Sequence, residues 1–153
     1  CGVASCLEIP QSDLARIEAL ARAAFPEECC GLLVGRAGGG NAATRVTRIV
    51  ESRNLATPSR LDRFEIDPEI QFKLLRELRG EPDDVVGVYH SHPDGRAKPS
   101  PRDLEDAADA SLIWLVTGLS QAAEDERIET RAFGLAPDRS RFEEIPIRRL
   151  NRD

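Results

Sequence analysis

"VVGVYHSHPDGRAKPSPRDLEDA", Val85 to Ala107, holds both histidines of the 153-residue chain, His90 and His92. The run Val85–His92 is apolar and rich in β-branched residues, so it reads as a buried strand. Side chains alternate across a strand, which puts His90 and His92 on one face and Ser91 on the other. Two imidazoles about 7 Å apart along a strand can converge on one ion. "PDG", Pro93 to Gly95, then signals a sharp turn. The next helix start is legible: Ser100 is a good N-cap, Pro101 takes the first helical position, and Asp103 the third. Taken alone, "SPRD" is a capping box with Asp in place of Glu. Joined to the H-x-H pair through ten intervening residues, Asp103 completes an N, N, O ligand set. Three protein ligands with a fourth position left for water describe a catalytic zinc site, whereas structural sites close all four. No other histidine competes for the metal, and no cysteine lies near this stretch.

Working outward, helical and extended patterns alternate. Val3–Ile9 reads as a short strand. Ser12 reads as the N-cap of a helix whose stripe is Leu14, Ile17, Leu20, Ala21 and Ala24, ended by Pro26. "CCGLLVG", Cys29–Gly35, is a buried strand. A turn at Gly38–Gly40 leads to a second hairpin strand, Ala43–Ser52. Asn54–Arg63 is a loop and "FEID" a short strand. A helix over Asp67–Leu78 is capped by Asp67, has Pro68 first, and turns Ile70, Leu74, Leu75 and Leu78 inward. The helix after Ser100 runs to about Asp109. Ser111–Leu119, Arg127–Leu135 and Arg141–Leu150 are further strands. The pattern predicts an α/β protein, a mixed sheet flanked by two to three helices, as a single domain over residues 1–150. The charged tail, residues 151–153, is expected to fray.

Composition narrows the function. Apolar residues make up 41% and charged residues 31%, ordinary for a globular protein with a real core. The net charge is −6, with 27 acids against 21 scattered bases, which argues against nucleic acid as a partner. No run reaches the ~18–20 apolar residues of a membrane span. Residues 1–10 lack the basic start and long apolar stretch of a secretory signal. Methionine is absent, so the genetic start lies outside this sequence. Cys1, Cys6, Cys29 and Cys30 form no C-x-x-C and no regular framework, which points to a reducing cytoplasm and thiols that are structural or incidental.

The residues also carry a resemblance. "HSHPDGRAKPSPRD" is similar to the JAMM (MPN+, JAB1) metalloprotease motif, H-x-H-x(10)-D with an internal P-S-x-x-D. "PEECCGLLVG" resembles that family's E-x-C-G-L strand start. The likeness runs from about Leu7 to Leu119 and is closest to the compact prokaryotic members. It implies an MPN-like (cytidine-deaminase-like) fold and a zinc-dependent isopeptidase with one Zn2+ per chain. It also implies His90, His92 and Asp103 as metal ligands, Glu28 as the catalytic carboxylate, and Ser100 as the serine that polarises the scissile carbonyl. Glu27 is the neighbouring alternative, and the motif's spacing picks Glu28. Without a zinc site, Glu28 would read as a solvated residue at a loop end. The implied substrate is a peptide or isopeptide bond after the C-terminal glycine of a ubiquitin-like β-grasp or sulfur-carrier protein, its tail held by β-augmentation on an exposed strand edge. The rivals are a non-catalytic MPN scaffold, a DNA-repair relative that would need an extra helical module, and a zinc hydrolase of a small amide. Cys29 and Cys30 beside Glu28 raise oxidation sensitivity as an expectation. Nothing in the sequence specifies an oligomeric state.

Overall fold

The computed structural model of the chain describes residues 5–38, 42–57, 59–107, 111–122 and 125–151. Its elements are β1 (Leu7–Pro10), α1 (Gln11–Ala24), β2 (Cys30–Ala37), β3 (Thr44–Ser52), α2 (Pro68–Glu77), β4 (Asp84–His92), α3 (Pro101–Asp106), β5 (Ile113–Ala122), β6 (Asp125–Leu135), β7 (Phe142–Ile145) and β8 (Ile147–Leu150). They build one mixed sheet in the order β7-β6-β5-β4-β2-β3-β1-β8. The α/β expectation therefore holds. β4, which carries the histidines, lies inside the sheet, antiparallel to β2 and parallel to β5.

The outermost strands β7 and β8 are separated in sequence by Pro146 alone. A sheet whose two edge strands are consecutive in the chain must curl until those edges approach. Helix α1 fills the concave side, where Leu14 and Ile17 pack with Leu7, Leu33, Val46, Leu115 and Ile145. The outer face carries Leu32, Val34, Val88, Trp114 and Val116, covered by Leu74 of α2 and Leu104 of α3. Burying large aliphatic side chains contributes roughly 1.5–3 kcal/mol each, so these two cores dominate the stability. Gly31 on β2 pairs with Tyr89 on β4. A Cβ at Gly31 would lie 2.3 Å from the Tyr89 ring, so glycine is what lets that buried ring cross β2.

Several local expectations are corrected. Helix α1 begins at Gln11 with Pro10 in the cap position, not Ser12, and no side chain caps it. The first strand starts at Leu7, and residues 1–4 lie outside the described residues. "FEID" forms only an isolated bridge between Ile66 and Asn54. Helix α2 has Asp67 as its N-cap, accepting from Glu69 N at 3.0 Å, as its sequence predicts. Its inward face is narrow, however: Leu74 is buried and Leu75 is 55% exposed. The stretch Arg141–Leu150 is two strands, because Pro146 has no N–H for a ladder and the chain changes partners there, from β6 to β1. Helix α3 ends at Asp106; Asp109, the Gly39–Gly40 part of the glycine turn, Cys1 and residues 152–153 lie outside the described residues.

Candidate metal centre

Strand β4 delivers the two imidazoles. His90 and His92 project with Val88 to the outer face, while Tyr89 and Ser91 project to the α1 side. His90 is fully buried, and His92 nearly so. Their Nε2 atoms lie 3.0 Å apart. Asp103 Oδ2, on α3, lies 3.0 Å from His90 Nε2 and 3.1 Å from His92 Nε2. Three donor atoms thus form a nearly equilateral triangle. Tetrahedral zinc with N and O ligands at ~2.0–2.1 Å needs ligand separations of about 3.3 Å.

The protonation pattern fits a cation. His92 Nδ1 lies 2.9 Å from the Arg96 carbonyl oxygen, which can only accept, so Nδ1 carries a hydrogen and the neutral ring has its Nε2 lone pair towards the centre. Burial would lower the His92 pKa, but Asp103 and Glu28 outweigh it and raise that pKa, so without a cation Nε2 holds a proton that it donates to Asp103 and that a cation would displace. Burial lowers the pKa of His90 and keeps that imidazole neutral. Burial alone would raise the pKa of Asp103. Hydrogen bonds from His90 and His92 and from the Ser100 N–H outweigh it and hold the carboxyl well below the usual range.

The capping box is also present. Asp103 N donates to Ser100 Oγ at 3.1 Å, and Ser100 N donates to Asp103 Oδ2 at 2.8 Å. Cap and ligand set are therefore one arrangement rather than rivals. The box orients Asp103 so that the same oxygen faces both histidines.

Glu28 sits in the coil between α1 and β2. It is 3% exposed, and one carboxylate oxygen lies within 4.8 Å of ring nitrogens of His90 and His92. Its Oε1 is buried without a hydrogen-bond partner. Burial, reinforced by Asp103, Asp62 and Asp94 and opposed by His92, pushes its carboxyl up to about 8. Glu27 is half-buried and pairs with Arg60 instead. The structure thus brings together all five residues singled out from the sequence: His90, His92, Asp103, Ser100 and Glu28.

Other parts of the site carried no short sequence signal. Phe64 stacks on His90, ring centroids 4.3 Å apart and planes at 19°. Trp114 meets His90 edge-on at 5.5 Å. A cleft of ≈ 650 Å³ opens beside the centre, lined by Glu28, Leu61, His92, Ser100, Leu104 and Phe142 among others. Phe142 belongs to β7, whose only ladder partner among the described residues is β6. β7 is thus an outer strand of the sheet that borders the cleft. Cys30 pairs with His90 across the ladder, but burial pushes its thiol up to about 12, and burial also raises Cys29. Neither thiol is primed for attack at neutral pH.

Residues 10–132 match the family described as prokaryotic homologs of the JAB domain. A desampylase from Haloferax volcanii is 37% identical over 60% of this chain and 62% of its own length. A Thermus thermophilus protein named "Probable TtuB-protein conjugate cleaving protease" is 35% identical over 66% of this chain and 63% of its own. The chain thus spans less than two thirds of the length of these two relatives. A desampylase from Pyrococcus furiosus is 33% identical over 94% of this chain and 90% of its own. The solution structure of a Desulfitobacterium hafniense protein superposes with a TM-score of 0.77 at 29% identity, covering 95% of this chain and 94% of that one. With four-fifths of its length inside the match and the H-x-H, Asp103 and Glu28 arrangement assembled, the chain belongs to the prokaryotic JAB-domain family.

Proposed function

We propose that the chain is a zinc-dependent metallopeptidase that hydrolyses a peptide or isopeptide bond after the C-terminal glycine of a ubiquitin-like or sulfur-carrier protein. The observation that carries this reading is the meeting of His90 Nε2, His92 Nε2 and Asp103 Oδ2 at 3.0–3.1 Å beside the buried Glu28. His90, His92 and Asp103 would hold one zinc ion per chain. When bound, zinc supplies Lewis-acid polarisation of the scissile carbonyl and lowers the pKa of water to about 7. Glu28 takes the proton of the attacking water and returns it to the leaving amine. The Ser100 hydroxyl accepts from Asp103 N and keeps its own hydrogen for the developing oxyanion.

The relatives named for desampylation and for cleaving TtuB–protein conjugates support the substrate class. The cleft supports it too. It is open, and Phe142 on the edge strand β7 borders it, so an extended tail without side chains can lie along an unpaired edge.

The test uses the intact chain loaded with zinc and a probe in which Gly-Gly is joined to a lysine ε-amine of a fluorescent peptide. Cleavage after the glycine, stopped by a chelator, restored by zinc and absent in His92→Ala, is the expected result. Zinc bound at one per chain with no cleavage of this probe or of a full ubiquitin-like conjugate would overturn the substrate reading. Failure to take up zinc would overturn the metal reading.

A further inference from the structure

Glu28 lies outside every helix and strand, so no regular ladder holds it at the metal centre. Its backbone is instead bound by the segment that follows β3. Glu28 N donates to the Arg60 carbonyl at 2.7 Å. Glu28 O accepts from Asn54 Nδ2 at 3.1 Å.

Asn54 uses its full hydrogen-bonding capacity. Nδ2 also donates to the Arg63 carbonyl at 3.0 Å. Oδ1 accepts from Ala56 N and from Glu65 N, both at 3.0 Å. The two nitrogen-side partners are carbonyls and the two oxygen-side partners are amides, so only one orientation of the side-chain amide satisfies all four. The Glu65 and Arg63 bonds fix the chain on either side of Phe64, and Phe64 lies against the His90 ring. One half-buried side chain therefore ties the carbonyl of Glu28 to the platform beneath a histidine of the centre.

We propose that Asn54 is a positioning residue that sets Glu28 against His90 and His92. The proposal rests on the reading of Glu28 as the proton carrier. Asn54 acts through the Glu28 backbone, to whose carbonyl its Nδ2 donates. A displacement of about 1 Å in a reacting group can lower a rate about 10²-fold. A donor lost 3.1 Å from the Glu28 carbonyl gives the coil that freedom.

The discriminating substitution is Asn54→Asp. It keeps the oxygen that accepts from Ala56 and Glu65, and turns a second oxygen onto the Glu28 and Arg63 carbonyls. The intact zinc-loaded chain is assayed on the Gly-Gly–lysine isopeptide probe, alongside Glu28→Gln and the double variant. Asn54→Asp is expected to bind zinc at the wild-type stoichiometry and to lose about 10–100-fold in kcat with KM unchanged. In the Glu28→Gln background the same substitution is expected to change nothing further, since the group it positions is gone. A kcat within twofold of wild type, or a loss that multiplies with that of Glu28→Gln, overturns the proposal. An active Glu28→Gln overturns the reading of Glu28 itself, a separate and recognisable failure that takes the Asn54 proposal with it. Should Asn54→Asp not fold, the wild-type protein decides by amide exchange. The Asn54 side-chain hydrogens exchange slowly if the two donor bonds hold Glu28 and Arg63, and exchange at the free-amide rate overturns the proposal.

Discussion

Phe64 lies almost flat on His90, ring centroids 4.3 Å apart and planes inclined by 19°. The stack covers one face of the His90 ring, and Trp114 meets the ring edge-on. His90 Nδ1 has no hydrogen-bond partner. The usual outer partner of a ligating imidazole is a hydrogen bond; here a π face takes that place. Phe64→Ala should weaken zinc affinity about tenfold and leave the metal at one per chain when saturated. Competition against a chromophoric chelator measures this. Unchanged affinity would show that the Asp103 contact alone orients His90.

Glu28 should carry opposite signs for stability and activity. Its carboxyl is pushed up to about 8 by burial, from an ordinary 4.5. In the metal-free protein the folded chain keeps a proton that the unfolded chain has already released. This part of the stability is therefore full below about 4.5 and declines as pH rises towards 8, by up to about 1.4 kcal/mol per pH unit. Glu28→Gln removes that decline. Urea unfolding of chelator-treated protein at pH 5 and pH 8 should show a smaller drop in the variant than in wild type. The same variant should lose about 10²–10⁴-fold in turnover while still binding zinc.

In the proposed mechanism Ser100 combines two tasks, helix cap and hydroxyl donor, that substitution can separate. Ser100→Ala removes the oxygen that caps Asp103 N, costing about 1 kcal/mol, and also removes the hydroxyl donor. Glycine is a tolerable cap, so Ser100→Gly should lower stability by only a few tenths of a kcal/mol. Both variants should fall about 10²–10³-fold in kcat. Thermal unfolding read beside kinetics tells the cap from the donor. A fully active Ser100→Gly would leave Ser100 as a helix cap only.

Gly118 is the β5 partner of His92. A Cβ there would meet the Gly95 carbonyl oxygen at 2.5 Å and the backbone of Arg96 and Ala97 at 2.7 Å. Backbone cannot rotate aside as a side chain can. The turn would move and take with it the Arg96 carbonyl that fixes the His92 tautomer. Gly118→Ala is expected to lower zinc affinity about 10–100-fold and stability by about 1–3 kcal/mol. Isothermal titration with zinc checks the first and denaturant unfolding the second.

The centre was legible because its parts obey short-range rules. A two-residue period puts His90 and His92 on one face, and Ser100-Pro101 announces the helix that brings Asp103. The sequence made the cap and the ligand look like competing explanations. In three dimensions Asp103 Oδ2 serves both at once. What was not legible depends on distant pairing. Phe64 meets His90 only because Asn54 and Ile66 bridge across the loop. Leu75 obeys the helical stripe yet faces outward, since α2 rests on the sheet through little more than Leu74. Ser12 had the chemistry of a cap, but the turn from β1 placed Pro10 there first. Pro146 reads as a pause in one strand, and it is the corner at which the chain passes from β6 to β1.

That corner has a consequence for how the molecule comes to be. β1 pairs in parallel with β8, Leu7 beside Ile147 and Pro10 beside Leu150, so the first strand waits for the last. Until β8 arrives, β1 has only β3 on one flank and offers an open ladder on the other, with fully buried Leu7 and Ile9 on it. Such an edge invites pairing with another chain. Contacts of this sequence separation close late, after the local hairpins. During synthesis the chain therefore passes through a stage in which β2, β4 and α3 can already be assembled while the seam is unsealed, and a chain cut before Ile147 would stop at that stage and aggregate through β1.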